Sequence, residues 1–392
     1  MSPRLATHRV TECLASGRAD AGGQQVQVMF RQIRNGGNSV TDALKKVVSV
    51  LLQKGGVGKT AVTANTAFEA ARMGLNVLFV DSDPTGYGSE LLTNEGYLDG
   101  LTLSDCVAPG GEKLDVRGDI IRRAWGGWQP ISELPWADGG ALGGGPIGRL
   151  DVLPSDPALS QRASANGSTA LRSLFKVLHR GSGVPLVEDY DLVLIDCQPS
   201  PDLASQMSVL ASGWLLMVVL PESMAASRGL SLGLQFTTEL AVGWDHDIAV
   251  GGVIINSLNA STKEHREVAD AIKIWVADNI EADGDVLGQV WGTPVARSTA
   301  ISKAMSAKQP ISNALIEAAR GGRLAQLGVA KTHHRPVGQF TQFALNTAML
   351  TCPEKVEGLK ARLDAEPMPP AMDTALNGVA SVENLIARAA GE

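Results

Sequence analysis

Between an apolar run at residues 47–52 and an alanine-rich stretch at residues 60–73, the chain reads Gln53-Lys54-Gly55-Gly56-Val57-Gly58-Lys59-Thr60. No other segment restricts the fold as strongly. Glycines at this density lose too much conformational entropy to sit inside a helix or strand, so the segment is a tight connection. Its flanks make it a strand-to-helix connection. Glycines let successive backbone N–H groups turn toward one point, and the positive end of the following helix lies behind them. That is a cradle for phosphate. In such a cradle Lys59 reaches the β- and γ-phosphates of ATP and the Thr60 hydroxyl holds Mg²⁺. The helix is expected to stop at Gly74, a natural residue for the position just past a helix end.

The rest of the chain supplies a sheet to carry that loop. Apolar runs at residues 47–52, 77–80, 150–153, 192–195, 215–220, 248–255 and 286–290 alternate with helix-length segments. Continuous β-rich runs mark strands buried on both faces, and the intervening helices mark parallel crossovers. The expected fold is α/β: a doubly wound, mostly parallel sheet of P-loop NTPase type with helices on both faces, over residues 46–328. Residues 1–45 are expected to form an N-terminal extension. Residues 110–149 are expected to form a Gly- and Trp-rich surface insertion, and residues 329–392 a C-terminal helical extension.

Two strands should bring carboxylates to the loop. One run ends in Val80-Asp81-Ser82-Asp83-Pro84, about twenty residues past the loop. Another, Leu192-Val193-Leu194-Ile195-Asp196, has the shape of a Walker B strand. An Asp at the tip of a buried strand can hold a Mg²⁺-bound water, because hard cations prefer oxygen ligands.

Hydrophobic residues make up 44% and charged residues 19% of the chain, which permits a sizeable core. The formal charge of −7 means that any nucleic-acid contact needs a local basic patch. Cys13, Cys106, Cys197 and Cys352 form no CxxC pair, which points away from a zinc site or disulfide framework and toward a reducing cytoplasm. The first residues lack the apolar core of a signal peptide, and the apolar stretch at 207–220 is too short to span a bilayer. A soluble protein is expected.

The usual Walker A pattern has glycine where this chain has Gln53, and here a lysine precedes the double glycine. KGGVGKT thus resembles the deviant Walker A loop of the ParA/MinD family. The resemblance covers residues 46–312. It implies a nucleotide cradle formed by Lys54, Gly55, Gly56, Val57, Gly58, Lys59, Thr60 and Ala61, with Lys54 reaching across a dimer interface to the partner's nucleotide. The segment DSDP resembles the family's DxDP motif, which implies that Asp83 supports activation of the attacking water and that Asp81 lies near the Mg²⁺ shell with Thr60 and Asp196. Asn256 resembles the residue that hydrogen-bonds the adenine edge, and Thr293-Pro294-Val295 would line the other side of the base pocket. The chain departs from the family at three places. Ala61 stands where a second Thr is common, Thr85-Gly86-Tyr87 replaces a Gln-Gly-Asn-like turn, and Gln198 replaces the commoner Pro of the switch after Walker B, which would alter its stiffness.

Within the family, the switch Cys197-Gln198-Pro199-Ser200 and the segments that follow look like ParA. That likeness implies a slow, Mg²⁺-dependent ATPase for plasmid or chromosome partitioning. It would work as an ATP-dependent homodimer that holds non-specific DNA on the nucleoid and is released when a ParB-like centromere-binding adaptor stimulates hydrolysis. The densest late basic cluster contains Lys303, Lys308, Arg320, Arg323, Lys331 and Arg335, and five of these (Lys308, Arg320, Arg323, Lys331 and Arg335) are the expected DNA contacts. Two other readings remain open. A MinD-like membrane-cycling or cargo-positioning ATPase would carry a basic amphipathic C-terminal helix, and residues 380–388 are short and weakly basic. An iron–sulfur reductase of the nitrogenase iron-protein branch would need Cys106 and Cys197 to bridge a cluster between subunits.

Overall fold

The computed structural model describes residues 42–93, 100–124, 148–180, 184–222, 225–280, 287–291, 294–312, 314 and 335–365. Strand β1 (Val47–Leu51) is buried at every position, as a strand covered on both faces must be. It leads through the glycine loop into α1 (Lys59–Arg72), then β2 (Asn76–Ser82), α2 (Tyr87–Thr93) and α3 (Leu103–Val107). A two-residue strand β3 (Arg122–Arg123) precedes β4 (Arg149–Leu153), α4 (Ala158–Asn166), α5 (Ser173–His179), β5 (Leu192–Cys197) and α6 (Leu203–Val209). The second half runs β6 (Trp214–Val219), α7 (Ala225–Trp244), β7 (Ala249–Ile255), α8 (Lys263–Asn279), β8 (Gln289–Val290), α9 (Thr299–Ser306), α10 (Arg335–Thr351) and α11 (Val356–Ala365).

The strands form one sheet in the order β3-β4-β2-β5-β1-β6-β7-β8. Every pairing is parallel except the antiparallel edge pair β3–β4. β1 lies between β5 and β6, with Val48 paired to Leu194 on one side and Trp214 on the other. The chain therefore builds outward on one flank of β1 before crossing to the other.

Side-chain alternation along the strands separates the two faces. On one, a run of small hydroxyls lets α6 approach closely: Ser49 Oγ donates to the Ser208 carbonyl at 3.0 Å, Ser208 Oγ to Ser82 Oγ at 2.7 Å, and Ser212 Oγ to Ser49 Oγ at 2.9 Å. On the other, Thr63 of α1 meets Asp196, and Ser89 of α2 meets Asp81. Helices cover both faces, as the pattern of apolar runs required. Helix α1 ends one residue before the expected position, and Gly74 at φ 112° follows it.

Two regions differ from the expected domain plan. Residues 110–124, expected to open a surface insertion, hold a 3₁₀ turn, a π-type turn with Ile120 fully buried, and edge strand β3. Helix α10, expected in an extension beyond residue 328, is part of the core. Val337, Phe340, Ala344 and Ala348, spaced along one helical face, are all buried. Phe343 packs 5.9 Å from the Trp291 ring and 6.1 Å from Phe340. Helix α10 is also tied to α1: Glu69 accepts from Thr341 Oγ1 at 3.1 Å, from Arg72 Nε at 2.8 Å, and from Ser312 Oγ. Three donors around one buried carboxylate balance the cost of burying it. Among the described residues no helix is long and apolar enough to cross a membrane.

Candidate functional site

Ligands of open parallel sheets bind outside the carboxyl ends of the strands, where the chain switches flank. Here that point is the end of β1, and the glycine loop starts there. Gly58, at φ 84°, is the N-cap of α1 and supplies no side-chain cap, so the first helical amides face the loop. A side chain at this position would meet both the left-handed backbone and the amide of Asn256.

Asn256 ends β7 and donates through Nδ2 to the Val57 carbonyl at 2.7 Å. In this structure it braces the loop, a contact that its expected adenine bond did not suggest. Of the expected base-pocket residues, Val295 is fully buried and continues the β7 edge through its amide to the Ile255 carbonyl at 2.8 Å. The Pro294 carbonyl accepts from Gln339 of α10. Thr293 lies outside the described residues.

Lys59 opens α1 and is 7% exposed. Its ammonium curls back to the carbonyls of Leu52 and Lys54, each at 3.4 Å. Burial lowers its pKa, and the nearby Asp196 carboxylate opposes that shift. Lys54, half-buried, precedes the exposed Gly55 and Gly56, while Thr60 and Ala61 occupy the first turn of α1.

Asp196 is fully buried near the end of β5. Its Oδ1 accepts from Thr63 Oγ1 at 3.4 Å, and among the described residues its Oδ2 has no hydrogen-bond partner. Burial first, and the neighbouring Asp81 charge second, push Asp196 up to about 8, against the pull of Thr60 and Lys59. An orphaned carboxylate oxygen beside a threonine hydroxyl fits a hard cation. Among the described residues no group of three or more His, Cys, Asp or Glu side chains could hold a metal by itself. A cation here would have to share its shell with phosphate oxygens and water, which is how Mg²⁺ is usually bound.

Asp81 is equally buried but fully engaged. Its Oδ2 accepts from Ser89 N and Oγ, both at 2.7 Å, and its Oδ1 from the Asp83 amide at 3.1 Å. Burial pushes it up to about 6. These bonds make Asp81 the anchor of the Asp83 turn and of α2, a role the sequence pattern did not separate from metal ligation. Asp83 is part-exposed, and its Oδ1 accepts from the Thr85 amide at 2.9 Å. Helix α2 reaches further, to the last turn of α9 and the turn after it: Tyr87 Oη donates to the Met305 carbonyl at 3.1 Å, and Glu90 pairs with Lys308.

Lys308 is thus in an ion pair, although it was expected to be a DNA contact. Arg320, Arg323 and Lys331 lie outside the described residues, as does the side chain of Arg335. Cys106 and Cys197 are buried on α3 and β5, with burial pushing each thiol up to about 12. Such thiols are poorly placed to bridge a cluster between subunits. A separate cavity of about 400 Å³ opens beside α3 and α5, lined in part by Cys106, Leu114, Val177 and Leu186, and includes none of the loop residues.

Residues 48–311 match the family model described as the CobQ/CobB/MinD/ParA nucleotide binding domain. The chain is 27% identical to the chromosome-partitioning ATPase Soj of Treponema pallidum, over 68% of this chain and 89% of that protein. It is 25% identical to the chromosome partitioning protein ParA of Caulobacter vibrioides, over 68% and 86%. In fold it is similar to a Cyanothece McdA–ATP complex (TM-score 0.54, 17% identity, 78% of this chain and 95% of that one). It is also similar to the septum site-determining protein MinD of Pyrococcus horikoshii with Mg-ADP (TM-score 0.50, 17% identity, 79% and 98%).

Proposed function

The chain belongs to the CobQ/CobB/MinD/ParA nucleotide-binding family, and from that premise we propose that it is a ParA-like ATPase for DNA partitioning, binding ATP with Mg²⁺ and hydrolysing it slowly. The observation that carries the reading is that Lys59 and the orphaned Asp196 oxygen are both buried behind a deviant glycine loop and feel each other's charge. Lys59 and the loop amides neutralise the β- and γ-phosphates, and Thr60 and Asp196 hold the cation's oxygen shell. Asp83, exposed enough to meet solvent and fixed by the Asp81 bond to its amide, orients the attacking water. Water displaces ADP at the γ-phosphorus without a covalent intermediate.

Lys54 supports the reading of a nucleotide-dependent switch. It sits on the loop in a half-buried position, beside the exposed Gly55 and Gly56, where a second copy could meet it. Two ATP-loaded copies would then hold non-specific DNA together, because pairing two weak basic patches multiplies phosphate contacts on an acidic protein. The names of the Soj and ParA relatives favour chromosome partitioning. In that role a ParB-like adaptor would be the trigger and the nucleoid the location.

Co-sedimentation with non-specific duplex DNA tests this function. With Mg²⁺ and ATP, the protein should pellet with DNA and come off as salt is raised. With ADP or no nucleotide it should stay in the supernatant. Equal retention in all three conditions, or none in any, would overturn the DNA-partitioning reading.

A further inference from the structure

Gln198 follows Asp196 and Cys197 at the end of β5, where the chain turns toward α6. It is 8% exposed, and its Nε2 is buried without a hydrogen-bond partner among the described residues. Its backbone is fixed: the Gln198 carbonyl accepts from Ser205 Oγ at 3.2 Å, and α6 is capped just ahead by Asp202, which accepts from the Ala204 and Ser205 amides. The next residue, Pro199, lies against the phosphate loop, with its Cγ 4.0 Å from where a side chain on Gly55 would begin. The segment thus runs beside the loop.

A buried amide donor with no acceptor destabilises a fold, and such groups in native structures call for an explanation. Asp196 Oδ2, two residues away, is orphaned in the same way. One is an unmet acceptor and the other an unmet donor, so together they match a cation and the anion it accompanies.

We propose that Gln198 is a further residue of the hydrolytic site, whose side-chain amide donates to the γ-phosphate or to the attacking water of bound ATP. The proposal rests on the ATPase reading above and adds a ligand to the end of the nucleotide that ATP has and ADP lacks. It makes this chain's switch a sensor of the γ-phosphate. Proline at the same position has no side-chain donor and could sense nothing by this route.

The test is Gln198→Leu, which keeps the volume and removes the amide. Nucleotide-free melting temperature should be unchanged or raised, by up to about 3 °C, because an unmet donor has been removed. Affinity for ADP should stay within about 2-fold of the parent. Turnover of ATP should fall about 10-fold or more, the scale expected for losing one aimed donor in a dry site. Gln198→His, which retains a ring N–H donor, should recover part of the rate. Loss of melting temperature, with ADP and ATP affinities falling together, would mean that Gln198 only supports the fold. Parental turnover in Gln198→Leu would overturn the proposal outright. A parent protein that does not hydrolyse ATP would instead overturn the ATPase reading on which it stands.

Discussion

Replacing Lys59 with alanine should weaken binding of Mg-ATP by roughly 30-fold or more, about 2–5 kcal/mol, the usual cost of truncating one partner of a buried charge pair. The reason lies in its burial. Lys59 is already stripped of most of its water, and among the described residues its ammonium makes two long contacts, both to carbonyls. Nucleotide phosphates would supply the anion that this ammonium lacks. The same burial makes the free protein pay little for its loss: a group whose charged form is disfavoured in the fold contributes no stability by being charged there. Titration with a fluorescent ATP analogue should therefore show the loss of affinity while the nucleotide-free melting temperature holds. An affinity within about 2-fold of the parent would mean that the loop is a glycine-rich turn without a phosphate.

The second large effect concerns the C-terminal part of the chain. Phe343→Ala should destabilise the whole ATPase fold by about 3–5 kcal/mol, the range for emptying a large buried aromatic site. Phe343 has no solvent exposure and packs at a tilt against Trp291 and edge-on against Phe340. With net stabilities of only about 5–15 kcal/mol, this is a large fraction of the total. Urea unfolding should show a single transition with a clearly lower midpoint and an unchanged slope. If α10 were an appendage, the midpoint would not move, or a second small transition would be lost while the main one stayed.

These two residues mark where the sequence was legible and where it was not. The loop, its strand and its helix could be read because the constraint is local: glycine-rich chemistry, a buried β-rich run and an alanine-rich helix are adjacent in the chain. The Walker B strand was legible for the same reason, and the doubly wound sheet followed from the order of apolar runs. The place of α10 was not, since it depends on a contact between Thr341 and Glu69, far apart in sequence. A helical face at Val337, Phe340, Ala344 and Ala348 is visible in the chain, but not what it covers. The two aspartates of the DSDP segment show another limit. Spacing put both near the phosphate, while the structure commits Asp81 to Ser89 and the Asp83 amide. A carboxylate's role depends on which donors reach it first, and those donors belong to a different element. The orphaned Nε2 of Gln198 also could not be read from a string of letters. What the sequence did offer there was a departure from the family pattern, and the structure turns that departure into a buried donor.

We propose that nucleotide on this loop controls the pairing of two copies. The mass of the Asp83→Ala protein, measured by light scattering on a sizing column, tests it most directly, because slowed hydrolysis leaves the ATP state standing. With Mg²⁺ and ATP the mass should be that of a dimer, and with ADP that of a monomer. Adding Lys54→Ala should return the ATP sample to monomer while it still binds nucleotide. A mass that is the same with ATP and ADP, or a dimer that survives loss of Lys54, would contradict the claim.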